Sequence, residues 1–588
     1  MEENLEQTTA SAGPETLPVG EEQLRRFLQI LRRYKAGKAA TEGRIIASEN
    51  WWKLRNTSQE RQESRVGKDG GLTSRSAWLH NVIVSKHADA MESFPEPVIL
   101  PREEGDQAEA RTLSSIIPCI LERNHFEEVY SDAAWQKGKT GTGVYKVVWD
   151  PTALNGLGDI VVSQVNLLNL YWEPGVRNIQ DSRYFFHTEL ADPELLEERY
   201  PQLAGNIKTG KGFVSTKFLY DDQVDTSDKL TVIEVYYHKY MDGKRILHYC
   251  KFLEDQVLYA TENQPDTAQR GLYDHGLFPY VFDPLYPIEG SPCGYGYVDV
   301  CRNPQTLIDT LKTAYVKNAM VGSAPRYFIR GDGGINEDEF LNLAAPLVHV
   351  QNPSEDALRR VEHTGLDGVY LNVLESTIQE LRETSGNTQT STGTSQSGVT
   401  AASAIAALQE ASSKGIRDSN RGSYRAYGKV IELVIELIRQ FYDLPRQFRI
   451  TGELGQPQFL SYTNAGLLPQ HQGMDFGADM GCRLPVFDIQ VKAQKQNAYS
   501  SVAQNELALQ LYGQGFFDPL RAQQALMCLG MMDFQGRREL MGKIAAQAAA
   551  FVPVLPGAGD PGLTAGEPAQ VAAARQAVQN RSTPGGGL

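Results

Sequence analysis

Ser385-Gly-Asn-Thr-Gln-Thr-Ser-Thr-Gly-Thr-Ser-Gln-Ser-Gly-Val-Thr400 carries no charge and no aromatic ring. Taken alone, such a run is a flexible linker. Its flanks change that reading. Before it, residues 366–384 place Val369, Tyr370, Val373, Leu374, Ile378 and Leu381 on one helical stripe. After it, residues 401–442 continue a long helical pattern, small at first (Ala404, Ala407, Leu408, Ala411) and then large (Ile431, Val434, Ile435, Ile438, Phe441). Gly415, Gly422 and Gly428 predict a kink or break in that helix. A domain linker is out of place between two long helices, so the segment reads as an exposed loop of one folded unit.

Upstream, Pro304 is suited to the first turn of a helix over residues 304–322. Leu307, Ile308, Leu311, Ala314 and Tyr315 form its stripe, and its length is roughly 27 Å at 1.5 Å per residue. The insert at 323–365 has a strand at 326–330, a turn from Gly331 to Gly334 and a second strand near 347–350. Helix, insert and helix predict an antiparallel hairpin, with the insert at one end and the neutral loop at the other.

The N-terminal part holds three further helical stripes. One carries Leu24, Phe27, Leu28, Leu31 and Tyr34, and a second carries Ile45, Ile46, Trp51 and Trp52. The third carries Trp78, Leu79, Val82, Ile83 and Ala90 and is stopped by Pro95 and Pro97. From residue 144 to 300 the chain is strand-rich, as in Val144-Tyr-Lys-Val-Val-Trp149 and Leu230-Thr-Val-Ile-Glu-Val-Tyr-Tyr237. A short helix begins between them at Pro193, after Asp192. Strands return at 448–450 and 485–493, and helices fill about 500–549.

At 588 residues the chain is too long for one core, so several domains are expected. No apolar stretch is long enough to span a bilayer, and the acidic, polar residues 1–20 lack a secretory pattern; the expectation is a cytoplasmic protein without membrane contact. Cys119, Cys250, Cys293, Cys301, Cys482 and Cys528 are scattered, which predicts reduced structural thiols. The formal net charge of −15 argues against a protein that grips DNA by neutralising phosphates, such as a transcription factor or a nuclease.

A series of short motifs follows in fixed order: Gly141-Thr-Gly-Val-Tyr-Lys-Val-Val-Trp-Asp-Pro151, Leu170-Tyr-Trp-Glu-Pro174, Asp181-Ser-Arg-Tyr-Phe-Phe186 and Glu197-Glu-Arg-Tyr-Pro201. Phe278-Pro-Tyr280, Gly290, Gly294-Tyr-Gly296 and Gln305 precede the first helix of the hairpin, and Gly398-Val-Thr-Ala-Ala-Ser-Ala-Ile405 follows the neutral loop. Over roughly residues 78–549 this order resembles the portal (head–tail connector) proteins of tailed bacteriophages, of a short-tailed type. The resemblance implies an α+β portal fold. Its parts would be N-terminal helices and an α/β wing (21–303), a first stem helix (304–322), a clip (323–365) and a second stem helix (366–384). A tunnel loop (385–400), a long helix returning to the wing (401–495) and a helical crown (496–550) would complete it, while composition alone predicts a disordered leader (1–20) and a disordered tail (551–588).

The same resemblance implies a homo-oligomeric ring, dodecameric in the virion, at one capsid vertex. Double-stranded DNA would be packaged, retained and ejected through it. Major capsid and scaffolding proteins, the terminase and then tail adaptor proteins would be its partners, with assembly in the host cytoplasm, no cofactor and no chemistry. Asn387, Thr388, Gln389, Thr390, Thr392, Thr394 and Gln396 would face DNA, exchanging water-mediated hydrogen bonds with phosphates. Lys312 and Lys317 would face either solvent or the lumen. Arg326 and Arg330, with Phe328 between them, would contact DNA, the motor, the adaptor or a neighbour's Glu337 or Asp338, and the acidic balance, which disfavours strong DNA binding, favours the neighbour.

Sharper chemical readings fail on spacing. Gly138-Lys-Thr-Gly-Thr-Gly143 has Ala133 where a phosphate loop needs glycine, and Lys146 falls in a strand. His80 and His87 lack HExxH spacing, and Asp332, Glu337, Asp338 and Glu339 miss the calcium-loop pattern. A large hydrolase is the rival of another class, without a nucleophile elbow or paired carboxylates to support it. A tail-hub or capsid protein is the nearer rival, and neither of these requires a neutral loop between helices.

Overall fold

Leu24, Phe27, Leu28, Leu31 and Tyr34 recur every three or four residues, and α1 (Glu21–Trp52) buries all five. In the computed structural model this is one helix of 32 residues, where the sequence suggested two. Its midpoint holds Gly37 because a Cβ there would lie 2.6 Å from Pro174 Cγ. The structure describes residues 18–54, 75–201, 229–241, 243–323, 327–329, 338, 358–360, 365, 367–387, 414–451, 457–471, 474–475, 478–479, 481–495, 508–516, 518, 521–531 and 540–545. The chain divides into two units, Met1–Lys495 and Gln496–Leu588.

After α1 come α2 (Trp78–Glu92), β1 (Ser93–Pro101), α3 (Gln107–Arg123), α4 (Phe126–Thr140), β2 (Thr142–Asp150) and β3 (Asp159–Gln164). An antiparallel sheet follows, with strands β4 (Leu170–Trp172), β5 (Tyr184–Ala191), β6 (Leu230–Met241), β7 (Lys244–Phe252) and β8 (Val257–Ala260) in that spatial order. α5 (Pro193–Arg199) lies between β5 and β6, with Asp192 as its N-cap residue. Alternate residues of the sheet (Tyr184, Phe186, Ile233, Val235, Tyr237 and Phe252) bury against α1. The opposite face gives Phe185 and Tyr236 to the main core. With both faces covered, the strands read as nearly unbroken apolar runs.

The main core joins α3 and α4 to a three-stranded sheet, β3-β2-β9, in which β9 is Tyr280–Pro284. The chain then continues through β10 (Tyr286–Pro287), β11 (Gly294–Tyr295), α6 (Tyr297–Ser323), β12 (Tyr327–Ile329), β13 (Leu358–Arg360) and α7 (Val369–Ser385) to α8 (Lys414–Phe441). α8 drives Val430, Ile431, Val434, Leu437 and Ile438 into this core, each worth about 1.5–3 kcal/mol of transfer free energy. The break expected in α8 is not there: the helix runs through Gly415, Gly422 and Gly428. A Cβ on Gly422 would meet Lys137 Nζ at 3.6 Å, an ordinary contact, so packing there does not demand glycine.

Sequence patterning did not reveal α3, α4 or β1. Pro95 and Pro97 do end α2, yet the chain goes straight on as β1. It pairs antiparallel with Phe487–Lys495 (β16 below), from Ser93 opposite Lys495 to Pro101 opposite Phe487. Proline is tolerated in this two-stranded ribbon because every strand is an edge. β14 (Arg446–Thr451) and β15 (Pro457–Tyr462) pair before β16. In the second unit, helices at 508–513, Ala522–Met531 and 540–545 bury Leu511, Ala522, Leu529 and Ile544 together. All six cysteines are free.

Candidate functional site

α6 and α7 pack as the expected antiparallel hairpin, with two corrections. α6 starts at Tyr297, so Pro304 lies inside it. A proline there leaves the carbonyl of residue 300 without its helical donor, and Val300 is exposed, where water can serve. At the far end, Tyr327, Phe328 and Ile329 pair with Arg360, Arg359 and Leu358. The partner of β12 is therefore at 358–360; the strand expected at 347–350 lies outside the described residues.

The hairpin stripes are split along their length. Near the body, Tyr297, Val298, Cys301 and Ile308 of α6 and Leu381 of α7 bury against Leu79, Val82 and Ile83 of α2. Leu374 and Ile378 pack half-buried on the same cluster. Farther out, Tyr315 and Met320 of α6 and Val369, Tyr370, Leu371 and Val373 of α7 are exposed, as is Leu307. The single chain thus leaves half of each predicted stripe uncovered.

Polar side chains fix the root. The N-cap of α2 is Ala77, which supplies no capping side chain. α6 supplies it from across the interface: Ser76 N donates to Asp309 Oδ1 (2.8 Å) and Leu79 N to Gln305 Oε1 (3.1 Å). Gln305 Nε2 donates in turn to Ser76 O (2.8 Å) and Asp309 Oδ1 (3.0 Å). Burial pushes the Asp309 carboxyl upward, against those donors and Lys312. Lys312 Nζ reaches Ser76 Oγ at 3.4 Å, and Lys317 is exposed.

Three glycines from distant motifs meet where α4 ends and α6 begins. Gly141 has φ +90°, and a Cβ on it would lie 2.3 Å from Gly294 O; one on Gly296 would lie 2.6 Å from Lys139 O. Arg44 Nη1 clamps the same spot, donating to Gly294 O (2.9 Å), Thr140 O (3.3 Å) and Asp299 Oδ2 (2.8 Å). Asp299 also accepts from Gly296 N (3.0 Å), at the first turn of α6. Backbone contact this close leaves no room for side chains, which is why both motifs are glycine-bearing.

The chain matches the phage P22-like portal protein family over residues 89–584. It belongs to that family. No curated protein matches it. The matched span holds most of the root, including Gly141, Gly294, Gly296, Gln305 and Asp309.

In this portal-family chain the neutral segment is anchored where it leaves α7, and α8 is held to the body by a polar cluster of its own. α7 stops at Gly386 (φ +69°), and Asn387 N donates to Arg382 O (3.0 Å). Asn387 itself is buried and accepts from Ser85 Oγ at 3.4 Å. That corrects the expectation that it faces outward: a short amide side chain just past a helix end is held against α2. In the α8 cluster, Lys137 Nζ bonds Asp283 Oδ1 (2.8 Å), Ser423 Oγ (2.8 Å) and Ser419 O (3.3 Å), and Ser423 Oγ donates to Asp283 Oδ2 (2.9 Å). Thr388, Gln389, Thr390, Thr392, Thr394 and Gln396 lie outside the described residues, as do Arg326, Arg330 and Glu337. Phe328 is in β12, and Asp338 is exposed.

Other motifs find structural uses. Residues 138–140 close α4 before Gly141 turns into β2, the reverse of a strand–loop–helix phosphate site. His80 stacks on Trp52 (4.1 Å) and His87 on Trp135 (3.8 Å). Among the described residues no group of His, Cys, Asp and Glu could hold a metal, and no helix is long and apolar enough to cross a membrane.

Sequence reading missed one buried hub. Glu234 accepts from Lys146 Nζ (2.9 Å), Tyr249 OH (3.0 Å) and Lys251 Nζ (3.4 Å), with His187 Nδ1 at 3.2 Å. Burial alone would raise its carboxyl, but Lys146, His187 and Lys251 outweigh that and hold it well below the usual range. Its signal was a lone Glu inside the apolar run 230–237, where an unpaired charge is forbidden.

Proposed function

We propose that this chain is a ring-forming portal subunit whose hairpin is the stem of a DNA channel. Residues 21–303 and 401–495 act as the wing, 323–365 as the clip that seats the terminase and later a tail adaptor, 385–400 as the tunnel loop and 496–550 as the crown. The ring, dodecameric in the virion and of a short-tailed type, stands at one capsid vertex, contacts major capsid and scaffolding proteins, and assembles in the host cytoplasm. It works mechanically and needs no cofactor.

The observation that carries this reading is the split stripe. Leu307, Tyr315, Met320, Val369, Tyr370 and Val373 stand exposed on a hairpin rooted firmly in its own subunit. Apolar helix faces of this kind are stabilised by burial against identical neighbours, and the closed symmetry of homo-oligomers supplies those neighbours. The charge of −15 supports a conduit, because a channel lined by an acidic protein does not trap its DNA.

Negative-stain imaging of the purified chain tests the ring: particles with a central hole are expected, and a uniform population of monomers would refute it. Deleting residues 389–396, which spares the buried Asn387, should leave rings intact and lower the DNA retained per head. Normal DNA content in heads built with that deletion would remove the tunnel-loop assignment.

A further inference from the structure

A cavity of about 850 Å³ opens between α2, β1, the turn joining α3 to α4, and α8. Its floor is apolar and aromatic: Met91, Phe94, Leu121, Phe126 and Tyr427. Phe94 meets Tyr130 edge-on at 5.3 Å, and Phe126 leans on Tyr427 at 5.5 Å, so the floor is a fixed surface. Glu96, Glu122, Glu127, Glu128 and Asp132 line the same cavity, while no lysine or arginine does among the described residues. His125 sits at the turn with φ +49°.

Carboxylates around an aromatic floor select a cationic head on an apolar stem, or a lysine beside an aromatic side chain. The volume is in the range of roughly 300–1,000 Å³ that encloses a sizeable ligand, well beyond one side chain. This chain carries a segment of matching chemistry. Residues 202–220 contain Lys208, Lys211 and Lys217 with Phe213, Phe218 and Tyr220, and no Asp or Glu, in a protein of net charge −15. On the elements that flank it in sequence, Leu196 of α5 and Leu230 of β6 cluster with Leu253 and Leu258, none of which lines the cavity.

We propose that residues 202–220 of a neighbouring copy dock in this cavity, their rings on its floor and their lysines on its acidic rim. The proposal rests on the ring reading above. It joins two unlike surfaces of the same chain, and contacts of that head-to-tail kind are the ones that generate rings.

The test mixes nitrogen-15-labelled and unlabelled full-length chains before assembly, then applies a zero-length carbodiimide cross-linker that couples lysine to carboxylate. Negative-stain images of the same sample report whether rings are present. Cross-links from Lys208, Lys211 or Lys217 to Glu122, Glu127, Glu128 or Asp132 are expected, many joining one labelled to one unlabelled peptide. Glu127→Lys with Glu128→Lys should lower their yield roughly fivefold or more, and adding Lys208→Glu with Lys211→Glu should restore cross-linking between the two segments. Rings whose rim cross-links to other lysines, or only within one labelled species, overturn the docking and leave the ring standing. An absence of rings overturns both, and because the wild-type cross-link is itself decisive, a variant that fails to fold does not rescue the proposal.

Discussion

Glu234 is a residue whose role follows from its charge alone. Its folded pKa lies well below the ordinary carboxylate value of about 4.3. A depressed carboxyl contributes stability that is fully present above the unfolded value and is lost as pH falls through the folded one. Glu234→Gln leaves Lys146 and Lys251 half-buried beside a neutral amide, which should cost about 3–5 kcal/mol at pH 7. Below about pH 4.3 the gap to wild type should narrow by about 1.4 kcal/mol per pH unit until the folded value is passed. Urea unfolding at pH 7 and pH 3.5 measures both, and a gap independent of pH would show that Glu234 acts by shape rather than charge. The sequence exposes the charge in a strand but not its partners, which come from β2, β5 and β7. The glycines behave alike: Gly141, Gly294 and Gly296 were visible as motifs, while their meeting depends on chain more than 150 residues apart being folded.

At the scale of elements, periodicity placed α6 and α7, because each buries a face that repeats with helical geometry, and β-branched and aromatic composition placed β6. It misjudged boundaries where other forces act. Pro304 looked like a start, although an exposed first turn tolerates it inside the helix, and two prolines hid β1 from view. Periodicity also could not tell which part of a stripe faces the subunit's own core. Ile308 and Leu381 do; Tyr315 and Val373, on the same two helices, do not. That difference gives a clean prediction. Tyr315→Ser with Val373→Ser removes apolar surface the monomer never buries, so the thermal midpoint of the isolated subunit should be unchanged or slightly higher. Each lost contact between neighbours should cost about 1–3 kcal/mol per subunit, shifting the assembly curve in analytical ultracentrifugation to higher protein concentration. Ile308→Ser should do the reverse, melting the subunit by about 2–5 kcal/mol. If the two variants behaved alike, the distal hairpin would have no partner of its own.

At the scale of the molecule, the proposed ring would have to surround a polyanion without binding it. Affinity for duplex DNA scales with phosphates neutralised, each contributing about −0.9 to the slope of log K against log salt. An acidic protein with an uncharged loop should therefore show weak retention and a shallow slope in a filter-binding assay. Gln389→Lys with Gln396→Lys alters that balance without touching the buried Asn387 at the end of α7 or the buried Ser423 of α8. Because every subunit of a ring presents both lysines, a few contacts made at once should steepen the slope by about 0.9 for each and tighten binding at low salt severalfold. The same change should slow translocation, since every released counterion must be recovered as the duplex advances, and single-molecule packaging in low and high salt reads this directly. A steeper slope with unchanged packaging speed would mean that the segment can touch DNA but lies off its path.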